Sequence, residues 1–168
     1  MILVSSCLLG LYAKYDGTIT NTASLLLKYS HWGQYIPICP EQQGGLSTPR
    51  QPAEIIGGTG AEVLKGDKLV RNALGEDVTA QFIKGAQQAL EFTKLVFVNA
   101  AILKEQSPSC GKHLIHNGEF VGNLIPGQGV TVALLTNHQI PVYSEQELSE
   151  ELLLNLLTQS REMGQKQA

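Results

Sequence analysis

The sequence predicts an α/β fold: a single domain built on a Rossmann-like parallel sheet of about four strands, with helices on both faces and small hairpin insertions. Short apolar runs typical of buried parallel strands alternate with longer amphipathic stretches typical of helices. The length of 168 residues suits one domain, and a hydrophobic fraction of 43% is enough to form a core. Because no repeat, low-complexity segment or linker interrupts this pattern, residues 1–168 are expected to form that single domain.

The first half of the chain is predicted to contain two strands, one helix and a hairpin. Its elements in chain order are strand Met1–Ser5, helix Thr18–Ser30, strand Tyr35–Cys39, loop Pro40–Gly60 and hairpin Glu62–Arg71. The first strand is continuously apolar, as strands buried on both faces are. The predicted helix places Ala23, Leu26 and Leu27 on one face, and the predicted loop is rich in glycine and proline.

The second half continues the alternation of helix and strand. Its elements are a helix from Asp77 to about Lys94, strand Leu95–Leu103, hairpin His113–Val121, helix Val130–Thr136, strand Ile140–Tyr143 and a final helix. Asp77 is a plausible N-cap, Asn117-Gly118 a plausible hairpin turn, and Ser144–Glu147 fits a capping box for the last helix. The two long helices carry apolar stripes: Phe82, Ile83, Ala86, Ala89 and Leu90 in one, Leu148, Leu152, Leu153, Leu156 and Leu157 in the other. The last residues are expected to fray.

Charge and hydropathy exclude several classes of partner. The net charge is −3 and the basic residues are scattered, so a surface for long nucleic acid is not expected, although a single nucleotide is not excluded. The apolar N-terminus has no positive residue before Lys14 and is too short to cross a bilayer. We therefore expect a cytoplasmic protein with no membrane partner, and no obligatory protein partner is evident.

Three cysteines follow three predicted strands. Cys7 comes after the first strand, Cys39 ends the second, and Cys110 lies in the loop after the third. In parallel α/β folds the carboxyl ends of the strands meet at one edge, where ligands bind. Disulfides are rare in the cytoplasm, and three cysteines cannot all pair within one chain. We expect the three thiols to be metal ligands at that edge, rather than residues that simply fill the core.

Spacing alone does not choose the metal. A zinc site with Cys₃ or Cys₃His ligation is one alternative, with His113 as the candidate fourth ligand. The other is a four-iron cluster on three cysteines, whose remaining iron is open and acts as a Lewis acid. The remaining histidines, His31, His116 and His138, show no ligand spacing to a cysteine and are predicted to be surface residues.

Other polar residues near the cysteines are candidates for chemistry. Glu41, two residues after Cys39, is a candidate general base, although a solvated loop residue or a helix-capping partner would look the same in sequence. Ser107 and Ser109 flank Pro108 and either hydrogen-bond a substrate or cap a turn. Gly127-Gln-Gly129 precedes a helix and forms a weak candidate anion site.

Several blocks of the sequence resemble the TudS-type thiouracil desulfidase family, a bacterial family formerly of unknown function. The resembling blocks are CLLG (7–10), KYDG (14–17), CPEQQGGLSTPRQPAEI (39–55), LKEQSPSCG (103–111), GQGVTVALL (127–135) and IPVYSE (140–145). They extend over nearly the whole chain, and the CPE and SPSCG blocks at this separation are quite specific.

The resemblance implies a [4Fe–4S] cluster on Cys7, Cys39 and Cys110, with the fourth iron open to substrate sulfur. It implies catalytic roles for Glu41 and Ser107 in a hydrolytic reaction that replaces a thiocarbonyl sulfur by oxygen and releases hydrogen sulfide. It also makes four residues candidates for binding substrate: Asp16, Arg50, Lys104 and Ser109.

The expected substrate is a free thiolated pyrimidine base or nucleotide, such as thiouracil or 4-thiouridine monophosphate. Related proteins that act on thiolated tRNA fuse this domain to a second one, and this sequence shows neither that domain nor a basic face. Two rival functions remain open. A zinc hydrolase or deaminase is one, although the usual Cys-x-x-Cys with His-x-Glu is absent, and a non-enzymatic iron–sulfur sensor, which would not need Glu41, is the other.

Overall fold

The computed structural model describes residues 1–19 and 24–165. In chain order the strands are β1 (Ile2–Ser5), β2 (Tyr35–Ile38), β3 (Ala53–Ile55), β4 (Val70–Asn72), β5 (Ala100–Leu103), β6 (Leu114–His116), β7 (Leu124–Pro126) and β8 (Val142–Ser144). The α-helices are α1 (Ser24–Lys28), α2 (Pro40–Gln43), α3 (Gly60–Lys65), α4 (Thr79–Leu95), α5 (Val130–Asn137) and α6 (Glu150–Gln165). Short 3₁₀ turns lie at Ser6–Leu9, Ser30–Trp32 and Glu145–Glu147.

Four parallel strands in the order β2-β1-β5-β8 form the main sheet, with Leu3 of β1 opposite Ile36 of β2 and Ala101 of β5. Side chains alternate between the two faces of the strands, as strand geometry requires. Leu3 packs in the cluster that includes residues of α4 and α5, whereas Ile2 and its neighbours pack with α1 and α6. The predicted four-stranded parallel sheet with helices on both faces is confirmed.

A smaller layer packs beside the sheet. The antiparallel pairs β3–β4 and β6–β7 contribute to a third apolar cluster with α3 and α4, in which Ile55, Val63, Phe82 and Ile115 are fully or almost fully buried. Each such side chain contributes about 1.5–3 kcal/mol through its burial. This layer places β3 and the β6–β7 hairpin beside the carboxyl ends of the parallel strands.

The segment between residues 40 and 71 differs from its prediction. The predicted loop Pro40–Gly60 contains α2 and β3, and the predicted hairpin Glu62–Arg71 is instead helix α3 followed by β4, which pairs with β3. Thr59 and Glu62 form a capping box that begins α3, and this Thr-x-x-Glu pattern is visible in the sequence.

Two further boundaries differ from prediction. The helix predicted over Thr18–Ser30 is shorter: Thr18 and Ile19 are not helical, Leu26 of α1 is buried, and Leu27 is 48% exposed. The prediction for Ala23 lies outside the described residues, as do Thr20–Thr22. Helix α4 extends to Leu95, so the third strand of the main sheet begins only at Ala100.

The remaining elements lie close to their predicted positions. The hairpin around Asn117-Gly118 has a longer loop than predicted, since its second strand begins at Leu124. The Ser144–Glu147 capping box is present, but it caps the 3₁₀ turn that precedes α6. The predicted fraying of Lys166–Ala168 concerns residues outside the described part of the chain. Within residues 1–19 and 24–165, no helix combines the length and the apolar character needed to span a membrane.

Candidate active site

All three cysteines line one cavity of about 490 Å³ at the carboxyl ends of the parallel strands. Cys7 lies in the 3₁₀ turn that follows β1, and Cys39 lies between β2 and α2. Cys110 comes from the loop after β5 and is only 6% exposed. The cavity therefore lies where strand order switches around β1, the usual ligand position in this class of fold.

The Cys39 side of the cavity is fixed by the short helix α2. Pro40 occupies the first turn of α2, a position where its missing N–H costs nothing, and Glu41 follows it. Helix α2 crosses α4 so closely that a Cβ on Gly85 would lie 1.9 Å from the carbonyl oxygen of Pro40. The close backbone contact between α2 and α4 therefore fixes the position of α2, and with it the positions of Cys39 and Glu41.

The Cys110 loop is held by two side chains that accept backbone hydrogen bonds. The hydroxyl of Ser107 accepts hydrogen bonds from the backbone N–H groups of Ser109 and Cys110, each at 3.1 Å. Glu105 Oε1 accepts from the N–H groups of Gln106, Lys112, His113 and Leu114 at 3.0–3.3 Å. The turn around Cys110 is therefore specified by local polar contacts and not by the sulfur alone.

Helix α5 also holds this loop, through its N-terminal N–H groups. Val130 donates to the carbonyl of Pro108 at 2.9 Å and Thr131 donates to that of Ser109 at 3.0 Å, while Gly129 donates to Gly111 at 2.8 Å. The candidate anion site at Gly127-Gln-Gly129 was therefore a wrong interpretation, because these N–H groups are already committed to the cysteine loop.

The three thiols lie in an environment that disfavours their charged form. Burial, together with the nearby Cys39, raises the pKa of Cys7 to about 11. Burial likewise raises the pKa of Cys39 and, most strongly, that of Cys110. Burial outweighs the nearby positive charges, Lys104 for Cys7 and Arg50 for Cys39, so a metal bound here must displace thiol protons.

Glu41 is paired with Arg50 inside the cavity wall. Arg50 Nε lies 2.7 Å from Glu41 Oε2, and the two side chains are only 7% and 14% exposed. The guanidinium also donates to the carbonyl of Ala13 at 3.0 Å and to Thr48 Oγ1 at 3.0 Å, and its Nη2 lies 3.8 Å from Cys39 Sγ. Arg50 therefore ties Glu41, the Cys39 thiol and the loop after Cys7 into one unit.

The other predicted substrate residues divide into two groups. Lys104 lines the cavity, and its Nζ lies 2.6 Å from Glu145 Oε1. Ser109 is not placed to bind substrate, because it is fully buried and its hydroxyl lies 2.9 Å from Thr131 Oγ1. Asp16 does not line the cavity either. Hydrogen bonds from Thr18 hold the pKa of Asp16 at about 2, and its carboxylate fixes the turn that carries it.

The candidate fourth zinc ligand lies away from the thiols. His113 does not line the cavity; its side chain is 54% exposed and its Nε2 lies 3.3 Å from Glu147 Oε1. No group of three His, Cys, Asp or Glu side chains in the described ranges 1–19 and 24–165 is arranged to hold a single metal ion. The Cys₃His alternative therefore lacks its histidine ligand, because the His113 side chain lies beside Glu147 at the surface.

Sequence reasoning missed three residues that line the same cavity. Glu54 of β3 and Glu105 after β5 are each under 10% exposed, and His116 of β6 was wrongly predicted to be a surface residue. Burial alone would raise the pKa of Glu105, but the hydrogen bonds from Leu114 and His113 outweigh it and lower that pKa. Glu105 lies within the LKEQSPSCG block that carries Cys110, which is a sequence signal for its place in the site, whereas His116 lies outside every such block.

The fold and the site together define an α/β protein with a thiol-lined ligand cavity at the carboxyl ends of its strands. A family model described as 2-thiouracil desulfurase matches residues 2–147, which is most of the chain. The chain belongs to the 2-thiouracil desulfurase family.

Two individual proteins are similar to this chain over most of its length. The uncharacterized protein YbbK of Bacillus subtilis (strain 168) is 47% identical over 150 residues, a match covering 89% of this chain and 99% of that protein. A solved structure of the [4Fe–4S]-dependent thiouracil desulfidase TudS is 43% identical with a TM-score of 0.81, and the match covers 92% of this chain and 97% of that one.

Proposed function

We propose that this chain is a [4Fe–4S]-dependent desulfidase that replaces the thiocarbonyl sulfur of a thiolated pyrimidine by oxygen and releases hydrogen sulfide. The observation that carries the proposal is the meeting of Cys7, Cys39, Cys110 and Glu41 in one cavity. A structural relative at 43% identity is named as such an enzyme. Residues 1–168 would form one domain that works in the reducing cytoplasm, where free thiols persist.

The donor set fits the proposed cofactor. Cys7, Cys39 and Cys110 supply three sulfurs and no fourth thiol, because the sequence contains three cysteines. These thiolates would hold three irons, and the fourth would supply Lewis-acid chemistry toward the substrate sulfur. A cavity of about 490 Å³ lies within the usual range for small-molecule sites, about 300–1,000 Å³.

Glu41 would act as the general base. Arg50 Nε holds Oε2 of Glu41, so Oε1 is the oxygen left to take a proton from the attacking water. Such general-base work is worth roughly 10²–10⁴-fold in rate. Arg50 would therefore act by holding the carboxylate rather than by binding substrate directly.

Ser107 and Lys104 would orient the substrate. The oxygen of Ser107 already accepts two backbone hydrogen bonds, which leaves its own O–H proton available for donation into the cavity that it lines. Lys104 supplies a positive charge at the same cavity, where Glu145 holds its ammonium group.

The substrate would be small: a free base or a nucleotide, such as thiouracil or 4-thiouridine monophosphate. With a net charge of −3 and scattered basic residues, the chain offers no broad field for a polynucleotide. Protein reconstituted anaerobically should contain about four irons per chain and release sulfide faster from the nucleotide than from thiolated tRNA. Stoichiometric zinc without iron would contradict the cofactor, and faster release from the tRNA would contradict the substrate class.

The substitution Glu41→Gln tests the mechanism, because glutamine keeps the shape but cannot take the proton. The variant should keep its iron and its fold and lose nearly all sulfide release per bound iron. The control is Glu91→Gln, the same change at an exposed carboxylate of α4 that pairs with Lys94. If Glu41→Gln matches Glu91→Gln in activity per iron, Glu41 is not the base.

A further inference from the structure

A second group of polar side chains lines the cavity from the smaller layer. Glu54 of β3 is only 7% exposed, and its Oε2 accepts hydrogen bonds from the backbone N–H groups of Gly118 at 2.8 Å and Phe120 at 3.1 Å. Phe120 itself lines the cavity, as does His116 at the start of this hairpin loop. Glu54 therefore fixes the loop that brings an aromatic ring and an imidazole to the site.

The side chain of His116 lines the cavity and has its Nδ1 nitrogen on the side of Glu54. Its Nδ1 is buried and has no hydrogen-bond partner among the described residues, and Glu54 Oε1 lies 3.9 Å from it. The side chain as a whole is 33% exposed and lines the cavity. Since Nδ1 is the buried atom, we infer that the exposed edge is the one that carries Nε2.

We propose that His116 recognises a ring N–H of the pyrimidine through Nε2, and that the negative charge of Glu54, 3.9 Å from Nδ1, selects this role by favouring the imidazole proton on Nδ1. The inference rests on the proposed function and names how that site chooses its substrate. A neutral imidazole has one N–H donor and one acceptor nitrogen, and a carboxylate facing Nδ1 favours the tautomer with its proton there. Nε2 is then an acceptor.

An acceptor at this position discriminates between two classes of pyrimidine. Uracil-type rings carry an N–H between their two carbonyl or thiocarbonyl groups, whereas cytosine-type rings have a bare acceptor nitrogen at the same place. In a complex with a cytosine-type ring, two acceptors would face each other and both would be left without a hydrogen bond, which weakens binding. The site should therefore prefer uracil-type rings by roughly tenfold or more.

The substitution Glu54→Gln should reverse this preference. The N–H groups of Gly118 and Phe120 keep the amide oxygen at the Oε2 position, so the NH₂ group faces Nδ1 of His116. Without the negative charge, and with an amide donor facing Nδ1, the imidazole proton is favoured on Nε2, which becomes a donor. A role for Glu54 that is only structural would weaken both ligands and leave their ratio unchanged.

The experiment measures binding of uracil and cytosine, as free bases and as 5′-monophosphates, to anaerobically reconstituted protein by calorimetry. It is run at about pH 8, above the ordinary histidine pKa of about 6.5. His116→Phe keeps the ring shape and removes both nitrogens, and His138→Phe makes the same change at an exposed histidine. We expect wild-type protein and His138→Phe to prefer uracil ligands, His116→Phe to lose the preference, and Glu54→Gln to reverse it.

The outcomes separate this inference from the proposed function. Sulfide release from 4-thiouridine monophosphate by wild-type protein tests the function, whereas the ratio of uracil to cytosine affinity tests His116 even if no sulfide is released. An unchanged ratio in His116→Phe overturns the inference, and so does wild-type protein that binds neither ligand. If Glu54→Gln fails to fold, as thermal unfolding would reveal, the comparison of His116→Phe with His138→Phe decides alone.

Discussion

Replacing Gly85 by alanine should disturb the site from a distance. Gly85 lies in the middle of helix α4, where glycine is less favourable than alanine by about 1 kcal/mol. Its position is explained by α2, because a Cβ at residue 85 would lie 1.9 Å from the oxygen and 2.6 Å from the carbon of the Pro40 carbonyl. Helix α2 must therefore move away from α4 if a methyl group is added.

The size of the effect follows from that overlap. Real Cβ contacts essentially never fall below 3.0 Å, so the Pro40 oxygen must retreat from 1.9 Å by about 1.1 Å. Overpacking of this kind costs about 1–3 kcal/mol, and the better helix propensity of alanine returns about 1 kcal/mol. The net loss in the free energy of unfolding should be up to about 2 kcal/mol. In a domain of this size that lowers Tm by up to roughly 8 °C.

The functional effect should exceed the effect on stability, because Cys39 and Glu41 lie at the start of α2. A displacement of about 1 Å in a positioning element can cost about a hundredfold in rate. The assays are thermal unfolding, iron content and sulfide release per iron, with Gly164→Ala as the control. Gly164 is exposed in α6 and has nothing within 4 Å of a Cβ. If Gly85→Ala is as stable and as active as Gly164→Ala, the contact between Gly85 and Pro40 does not determine the positions of Cys39 and Glu41.

Substitutions at three further residues test how the Cys110 loop is held. Ser107→Ala removes the acceptor of two backbone hydrogen bonds and should lower the free energy of unfolding by about 1–3 kcal/mol, with a loss of bound iron that Ser107→Thr should partly restore. Ser109→Ala should cost about 1 kcal/mol without changing KM, since its hydroxyl contacts Thr131 and not the cavity; a raised KM would contradict this placement. Glu105 has a pKa below its ordinary value, so its stabilising effect is present above the unfolded pKa of 4.5 and is lost as the pH falls through the folded pKa. Chemical unfolding between pH 3 and 7 should show a smaller decrease in acid for Glu105→Gln than for wild-type protein, and parallel curves would refute the role of Glu105.

The parts of the site that could be predicted from sequence are those fixed by strand direction. Cys7 and Cys39 lie next to apolar runs short enough to be buried strands, and parallel strands end at one edge. That reasoning needs only the pattern of the chain, which explains why the cysteines and Glu41 could be named as candidates before the fold was known. It gives no information on which side of a connecting loop faces the cavity.

The parts that could not be predicted depend on tertiary packing. Ser107 and Ser109 flank Pro108 symmetrically in sequence, yet Ser107 lines the cavity and Ser109 is buried against Thr131. His116 looked like the end of a surface hairpin. Its place in the cavity depends on β3 and on Glu54, which lies 62 positions earlier in the chain and within a segment predicted to be a loop.

Two further glycines near the site allow backbones to pack closely together. A Cβ on Gly60 would lie 2.4 Å from the carbonyl of Gly129, and a Cβ on Gly129 would lie 2.5 Å from the carbonyl of Ser109. The start of α3, the start of α5 and the Cys110 loop therefore touch through their backbones, as α2 and α4 do at Gly85. Close packing of this kind has few alternative arrangements. It fixes two of the three thiols without any covalent link between them, and the sulfurs remain free to act as ligands.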